Sequence, residues 1–583
     1  MKNINLILPR TGILARDLLS AIGAGIVLTC PIEVWSKFYF PFQAALHEQY
    51  LGAVLLIMTV FYLWMGSQRY LTRYGFYVGV IDGILGIIIV AFRASQSQSM
   101  PVFALLSIII TAVITIALIY GIIITPAVSK KQAQRLIAVT LSVYLFIAYG
   151  LYPLTYVVGW FQRGNLSLHN LPNAAPHETY TIEIDGMKHF VYYGDLHGHS
   201  NLSVDARLFG AKPAGEFYVY ARDVAGLDFC ALTDHDTPNG VSDDPNLWHY
   251  ICRLADEFNE PGKFVTFKAF EWTSGEGHKE VLKYWFGGDR WNFRNDSSVW
   301  GHRNVLFPGV DVPEIPFSHS SASYDTPSEF LEQVQYYDAI AIPHHPLGGP
   351  VTPMKWHHFN PEVERLVEIY SQHGSSESAD APLMIYNPYI TNDGSSKHSV
   401  KHALNKGYHF GLIGSTDTHT GWGGNNTTHP ENSLPESMIE WVRKVFGGAP
   451  VKGGGLTAVF ARELTRKGIW EALQNRRTFA TTGERIVLVL EVANAFMGEV
   501  THMHSAEEIE IEGRVVGTSP IEKISIIRNG TVLKEIMVRG ETNHSFQLKD
   551  EPLPPGEYYY YLRVKQVDGE MAWSSPVWVK VEL

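Results

Sequence analysis

Six short apolar runs in the second part of this 583-residue chain lead straight into histidine or carboxylate, and this restricts the fold more than any other feature. The runs at 190–194, 228–233, 264–270, 339–343, 366–370 and 410–415 have the length and the β-branched or aromatic content of strands. The first leads into Asp195-Leu196-His197-Gly198-His199-Ser200, the second into Thr233-Asp234-His235-Asp236 and the third into Glu271-Trp272-Thr273-Ser274. The fourth leads into His344-His345-Pro346, the fifth into a polar loop with His373, and the last into Thr416-Asp417-Thr418-His419. His302 stands apart, in Gly301-His302-Arg303-Asn304-Val305-Leu306. Strands that carry such groups at their carboxyl ends bring them to one mouth. Side chains on extended chain alternate, so His197 and His199 point to one side, as do Asp417 and His419. Imidazole and carboxylate together suit Zn²⁺, Mn²⁺ or Fe²⁺. The two oxygens of Glu271 can serve two ions. The donors outnumber what one ion needs, so two or three divalent metal ions are expected. On chemistry alone His344 and His345 are equivalent.

Composition divides the chain near residue 165. Residues 1–165 hold 11 Lys and Arg against 4 Asp and Glu, a charge of +7. The remaining 418 residues hold 35 against 54, a charge of −19, and 23 of the 24 histidines. Residues 50–68, 102–124 and 136–161 are uncharged over 19, 23 and 26 positions, and each is long enough to span a bilayer as a helix. Residues 76–92, with Asp82 inside, and 18–35 are two further candidate spans. With five spans and a cytoplasmic N-terminus, the inner segments hold eight basic residues and the outer loops only Lys37 and Arg93. An integral membrane protein is expected, with its soluble part outside the cytoplasm, at a bacterial inner membrane and periplasm. Three cysteines without a CxxC motif exclude a disulfide framework. An acidic chain without a basic tract argues against a nucleic-acid partner.

Between 166 and 483 the strand-like runs alternate with helical patterns such as 213–225 and Pro327–Tyr336, which argues for an α/β layer or barrel. After 484 the pattern becomes purely β, with runs at 486–492, 508–517, 521–528, 558–566 and 577–581. Turn signals at Asn529-Gly530, Pro554-Pro555-Gly556 and Asp568-Gly569 separate several of them, and a small immunoglobulin- or fibronectin-like β-sandwich is expected over 484–583.

The segment 194–205, Thr233-Asp234-His235 and Asp417-Thr418-His419 resemble, in this order, the motifs of the PHP (polymerase and histidinol phosphatase) superfamily. Phe270-Glu271-Trp272-Thr273-Ser274, 302–307, 368–377, 411–421 and Ala572-Trp573-Ser574-Ser575-Pro576 are similar to an uncharacterised branch of it. The resemblance covers about residues 190–583. It implies a distorted (β/α)7 barrel with up to three metals. One ion would take His197, His199, Glu271 and Asp417. A second would share Glu271 and take His302 and His344, with His278 as a rival to His302. A third would use His235, His419 and Asp205. The resemblance implies a phosphoesterase that hydrolyses a small-molecule or envelope-derived phosphate ester by metal-activated water. Asp234 can orient a ligand from behind, His373 can meet substrate, and Lys283, Arg303 and Arg207 can offset its charge. A metal-dependent hydrolase of an amide, lactone or carboxyl ester is the alternative. A sensor or binding module without catalysis is the other.

Overall fold

Strand β1 (Thr181–Ile184) turns at Asp185-Gly186, both with positive φ, into β2 (Met187–Asp195), the strand from which the rest is laid out. This computed structural model describes residue 174 and residues 179–583, except 204–205, 207–210, 237–239, 243, 275–299, 310, 319–325, 349–352, 386–394 and 425–452. After β2 come helix α1 (Ala214–Val219), continued as a π-helical turn over Tyr220–Val224, and β3 (Phe229–Ala231). Helix α2 (Pro245–Glu257) follows, then β4 (Val265–Thr273), β5 (His302–Phe307), α3 (Pro327–Tyr336) and β6 (Ile340–Pro343). The chain continues through β7 (Leu366–Ser371), β8 (Gly374–Ser375), α4 (Val400–Asn405), β9 (Gly411–Gly414), β10 (Leu456–Ala461), α5 (Arg466–Gln474) and β11 (Thr478–Thr481). Helix α3 occupies the expected Pro327–Tyr336. Proline opens it, and Thr326 caps it by accepting from the Glu329 amide. In α2 the spacing of Trp248, Ile251, Cys252 and Ala255 makes one buried face.

The expected (β/α)7 barrel is not what forms. Among the described residues strand exceeds helix, 40% against 17%, and the sheets are mixed. β2, β3 and β4 run parallel, but β5 is antiparallel to β4, β6 is antiparallel to β5, and β10 is antiparallel to β2. The departure begins at His302–Phe307. Those residues read as a polar motif but are a fully buried strand wedged between β4 and β6. A second cause is the covering of the outer face. Val367, Ile369, Leu412 and Ala480 of β7, β9 and β11 pack in one core with Tyr559, Tyr561, Trp573 and Trp578 of the C-terminal strands. A sheet thus covers part of the surface that helices would cover in a β/α barrel.

Those strands are β12 (Val487–Val492), β13 (Ala495–Phe496), β14 (Val500–His504), β15 (Ile509–Val516), β16 (Ile521–Arg528) and β17 (Thr531–Met537). β18 (Asn543–Asp550), β19 (Gly556–Gln566), β20 (Met571–Ser574) and β21 (Val577–Glu582) complete them. Asn529-Gly530, both at positive φ, turns β16 into β17, as the dipeptide signals. The sheet β13-β12-β15-β18 buries Leu488, Leu490, Ile511 and Val515 against Ile524, Tyr560 and Leu562 of the facing strands. The large sheet does not stop at 484. β11 pairs with β20, Phe479 opposite Ser574 and Thr481 opposite Ala572, so one sheet joins both regions within the compact unit Tyr156–Leu583.

The structure does not bear out the expectation of a multi-span membrane protein with an extracytoplasmic soluble part. Among the described residues no helix is long and apolar enough to cross a membrane. The five candidate spans all lie outside the described residues.

Candidate metal centre

The segments that carry the candidate ligands extend the sheet beyond its strands. Asp417 N donates to His197 O (2.7 Å) and His199 N to Thr418 O (2.8 Å), so the two alternating motifs run side by side. Thr233 N donates to Gly198 O, and Glu271 N to Asp234 O, which adds the next two segments in turn. Only glycine fits at 198, since a β-carbon there would meet the Phe217 ring at 2.7 Å. β5 enters this mouth where its antiparallel neighbours β4 and β6 leave it. His302, its first residue, therefore lies opposite Thr273, the last of β4. An antiparallel strand delivers its amino end where the others deliver their carboxyl ends.

Glu271 lies at the middle, 1% exposed. The Nε2 atoms of His197 and His199 each lie 3.3 Å from Glu271 Oε2 and 3.3 Å from Asp417 Oδ1. In a regular tetrahedron an edge of that length puts the centre about 2.0 Å from each corner, the bond length of zinc to imidazole or carboxylate. The other oxygen, Oε1, faces His302 Nδ1 at 2.8 Å, His344 Nε2 at 3.3 Å and His235 Nδ1 at 3.4 Å. Ligand atoms of His199, His235 and His419 also converge, as do those of His302, His344 and His345.

Hydrogen bonds at Nδ1 orient four of these rings. His197 Nδ1 donates to Glu368 Oε2 at 2.7 Å, and His199 Nδ1 to Ser203 Oγ at 3.0 Å. His235 Nδ1 donates to Thr273 Oγ1 at 2.7 Å, and His419 Nδ1 to Asp417 O at 2.9 Å. Oxygen acceptors on four Nδ1 atoms hold the protons there and leave the lone pairs on Nε2, which in His197 and His199 face Glu271 and Asp417. His199 Nε2, His302 Nε2 and both ring nitrogens of His344 are buried without a hydrogen-bond partner. Buried polar atoms left so are costly unless something else binds them. Burial opposes ionisation of Glu271 and Asp417. Neighbouring histidines outweigh it and hold both carboxyls well below their usual range, His235 and His344 at Glu271 and His197 and His373 at Asp417. Burial, reinforced by His197, pushes His344 down to about 3. Ionised carboxylates with a neutral His344 are the forms that bind a divalent ion. The donor set fits such ions.

His197, His199, His235, Glu271, His302, His344, Asp417 and His419 are thus brought together, while Asp205, His278, Arg207 and Lys283 lie outside the described residues. His345 is buried at φ 32, with Nε2 3.9 Å from Asp417 Oδ2. His373 Nε2 lies 2.8 Å from the same oxygen, and its side chain is partly exposed. Asp234 faces away from the centre. Its carboxylate accepts from Ser200 N, Ser203 N and both serine hydroxyls, and Ser203 Oγ in turn holds His199. Arg303 is fully buried and committed to Glu364, its Nε 2.9 Å from Oε1. Two residues were missed. Glu368 is a buried acid inside an apolar strand. Asp195 ties the mouth shut by accepting from His197 N, Thr416 N, Thr416 Oγ1 and Gly424 N. An acid within or ending an apolar run is the signal that marks both.

Residues 227–349 and 390–519 match a family described as "Protein of unknown function (DUF3604)". An uncharacterized protein of Chlamydia pneumoniae is 28% identical over 443 residues, 72% of this chain and 61% of that one. One of Chlamydia trachomatis is 27% identical over 409 residues, 66% of this chain and 57% of that one. The chain therefore spans less than two thirds of the length of these curated relatives. Among solved structures, a two-domain protein of Bacteroides vulgatus containing a predicted PHP-like metal-dependent phosphoesterase is 14% identical, with TM-score 0.34. That similarity covers 69% of this chain and 99% of the other. Fibronectin(III)-like modules from Clostridium thermocellum are 17% identical with TM-score 0.13, covering 16% of this chain and 93% of theirs.

Proposed function

We propose that this chain is a metal-dependent hydrolase of the PHP type that cleaves a phosphate ester of a small molecule. The observation that carries the reading is Glu271, with one oxygen in the His197, His199 and Asp417 set and the other facing His302 and His344. His235, His419 and Asp205 would hold a third ion. Ions of this class lower the pKa of water toward neutrality and offset charge on a phosphoryl group. The chain's own part is orientation. Glu368, Ser203 and Thr273 fix the Nδ1 protons of three ligands, and Asp234 fixes Ser203. His373, partly exposed beside Asp417, is the side chain placed to meet substrate.

The test uses the purified full-length chain. Elemental analysis is expected to find at least two equivalents of zinc, manganese or iron, together with hydrolysis of an aryl phosphate. His197→Ala is expected to remove both. Undiminished hydrolysis by that variant would refute the mechanism. The commitment of Arg303 to Glu364 favours keeping carboxyl esters and lactones as a second substrate class, because it removes one cation that could select phosphate. A panel of phosphate and carboxyl esters separates the two.

A further inference from the structure

The C-terminal strands hold a buried carboxylate at the base of a hairpin whose tip lies in the candidate metal centre. β7 and β8 form a hairpin, Tyr370 opposite Ser375 and Ser371 opposite Gly374, with Gln372 and His373 at its tip. The tip grips the segment that carries two proposed ligands. Gln372 N donates to Thr416 O at 3.1 Å, and the Gln372 side-chain amide donates to Asp417 O and lies 3.2 Å from His419 Nδ1. His373 meets Asp417 Oδ2. Asp417 has φ 53, a left-handed conformation that a non-glycine residue keeps only when its surroundings hold it.

The base of the hairpin runs into Glu377, which is 2% exposed. Its carboxylate is held wholly from the C-terminal strands. Tyr561 Oη donates to Oε1 at 2.7 Å, Arg563 Nη1 to both oxygens at 3.0 Å and Trp573 Nε1 to Oε2 at 2.9 Å. The backbone of the same stretch accepts the start of α4, Val400 N on Ser376 O and Lys401 N on Glu377 O, and Tyr559 Oη donates to Asn405 at the end of that helix.

We infer that β19 and β20, through Glu377, are a positioning device for the Asp417–His419 ligand segment. Tyr561, Arg563 and Trp573 are positioning residues for a site that none of them touches. The inference rests on the reading of Asp417 and His419 as metal ligands. A buried carboxylate that loses its cation is expelled or protonated. Either response loosens the hairpin base, and the tip then no longer holds Asp417 in place.

The test is cobalt(II) titration of the full-length metal-free chain, followed by the visible absorbance of the bound ion. Arg563→Met is expected to weaken cobalt binding about tenfold, the lower end of what loss of ligand support costs. Arg563→Lys is expected to restore most of it. Arg528→Met breaks another ion pair of the C-terminal strands, from β16 to Asp550 of β18, and controls for simple destabilisation. It is expected to lower the urea midpoint without moving cobalt affinity. A folded Arg563→Met chain with wild-type affinity overturns the inference, as does an equal loss in Arg528→Met. If Arg563→Met does not fold, Glu377→Gln is measured against the same expectation, and wild-type affinity there overturns it. Wild-type chain that binds no cobalt overturns the metal reading itself, and this inference with it.

Discussion

Glu368→Gln isolates the role of one buried carboxylate behind a proposed ligand. Glu368 Oε2 accepts from His197 Nδ1 at 2.7 Å, and both side chains are about 1% exposed. Burial holds the carboxyl above its usual range, against the opposing pull of His197. Glutamine has the same shape but offers no charge. Its amide oxygen can keep the Nδ1 proton in place, but its NH₂ then occupies the position of Oε1, which has no partner in this site. A buried donor left so costs about 1–3 kcal/mol of stability. Turning the amide round instead presents NH₂ to Nδ1, moves the ring proton to Nε2 and blocks the lone pair that faces Glu271 and Asp417. Both routes weaken the site. Losing the carboxylate behind a ligating histidine lowers metal affinity about 10–100-fold, or about 1.4–2.8 kcal/mol. Zinc competition against a chromophoric chelator, with urea unfolding of the metal-free chain alongside, separates affinity from stability. Zinc affinity within twofold of wild type in a folded Glu368→Gln chain would refute the reasoning.

Glu271→Ala should reduce bound metal by more than one ion per chain and His419→Ala by no more than one, as elemental analysis would show. Equal losses would contradict a bridging Glu271. Ser203→Ala removes the hydroxyl that donates to Asp234 and accepts from His199 and from His235 N, and should cost about 1–3 kcal/mol in urea unfolding. The metal-free chain should be most stable near the ordinary histidine value, 6.5, because the lowered His344 costs stability as pH falls below it. Burial works against the charge on His197, but Asp417 and Glu368 raise its pKa well above 6.5, so its contribution is complete below 6.5 and lost as pH rises through the raised value. Glu271 is depressed, so its contribution is present above 4.5 and lost as pH falls through the lowered value. A chelator-treated urea midpoint that climbs steadily from acid to alkaline pH would contradict this. Metal affinity should move the other way at the alkaline end and rise with pH, because binding displaces the His197 proton.

The mouth was legible because its chemistry is local in sequence. His197-Gly198-His199 and Asp417-Thr418-His419 need only the alternation of extended chain to aim their side chains, and the structure lays them side by side. The strands β15 and β16 were legible for the same reason, as buried and exposed positions alternate in the first and Asn529-Gly530 ends the second. The topology was not legible. Nothing within His302–Phe307 tells that it pairs antiparallel to strands on both sides, because direction is set by partners far along the chain. The fate of Arg303 was hidden likewise. A basic residue next to a ligand suggests anion binding until Glu364, 61 positions away, is found beneath it. Glu368 was overlooked because an acid in an apolar strand has no meaning until His197 is seen 171 positions upstream.

The pairing of β11 with β20 makes the end of the body a seam within one sheet. A chain cut after Thr482 would expose the open ladder of Phe479, Ala480 and Thr481, flanked by the apolar surface that Trp573 now covers. An uncovered, flat apolar edge recruits other strands, so such a fragment is a template for aggregation. The two regions cannot be exchanged as interchangeable cassettes, and in calorimetry they should melt as one cooperative transition.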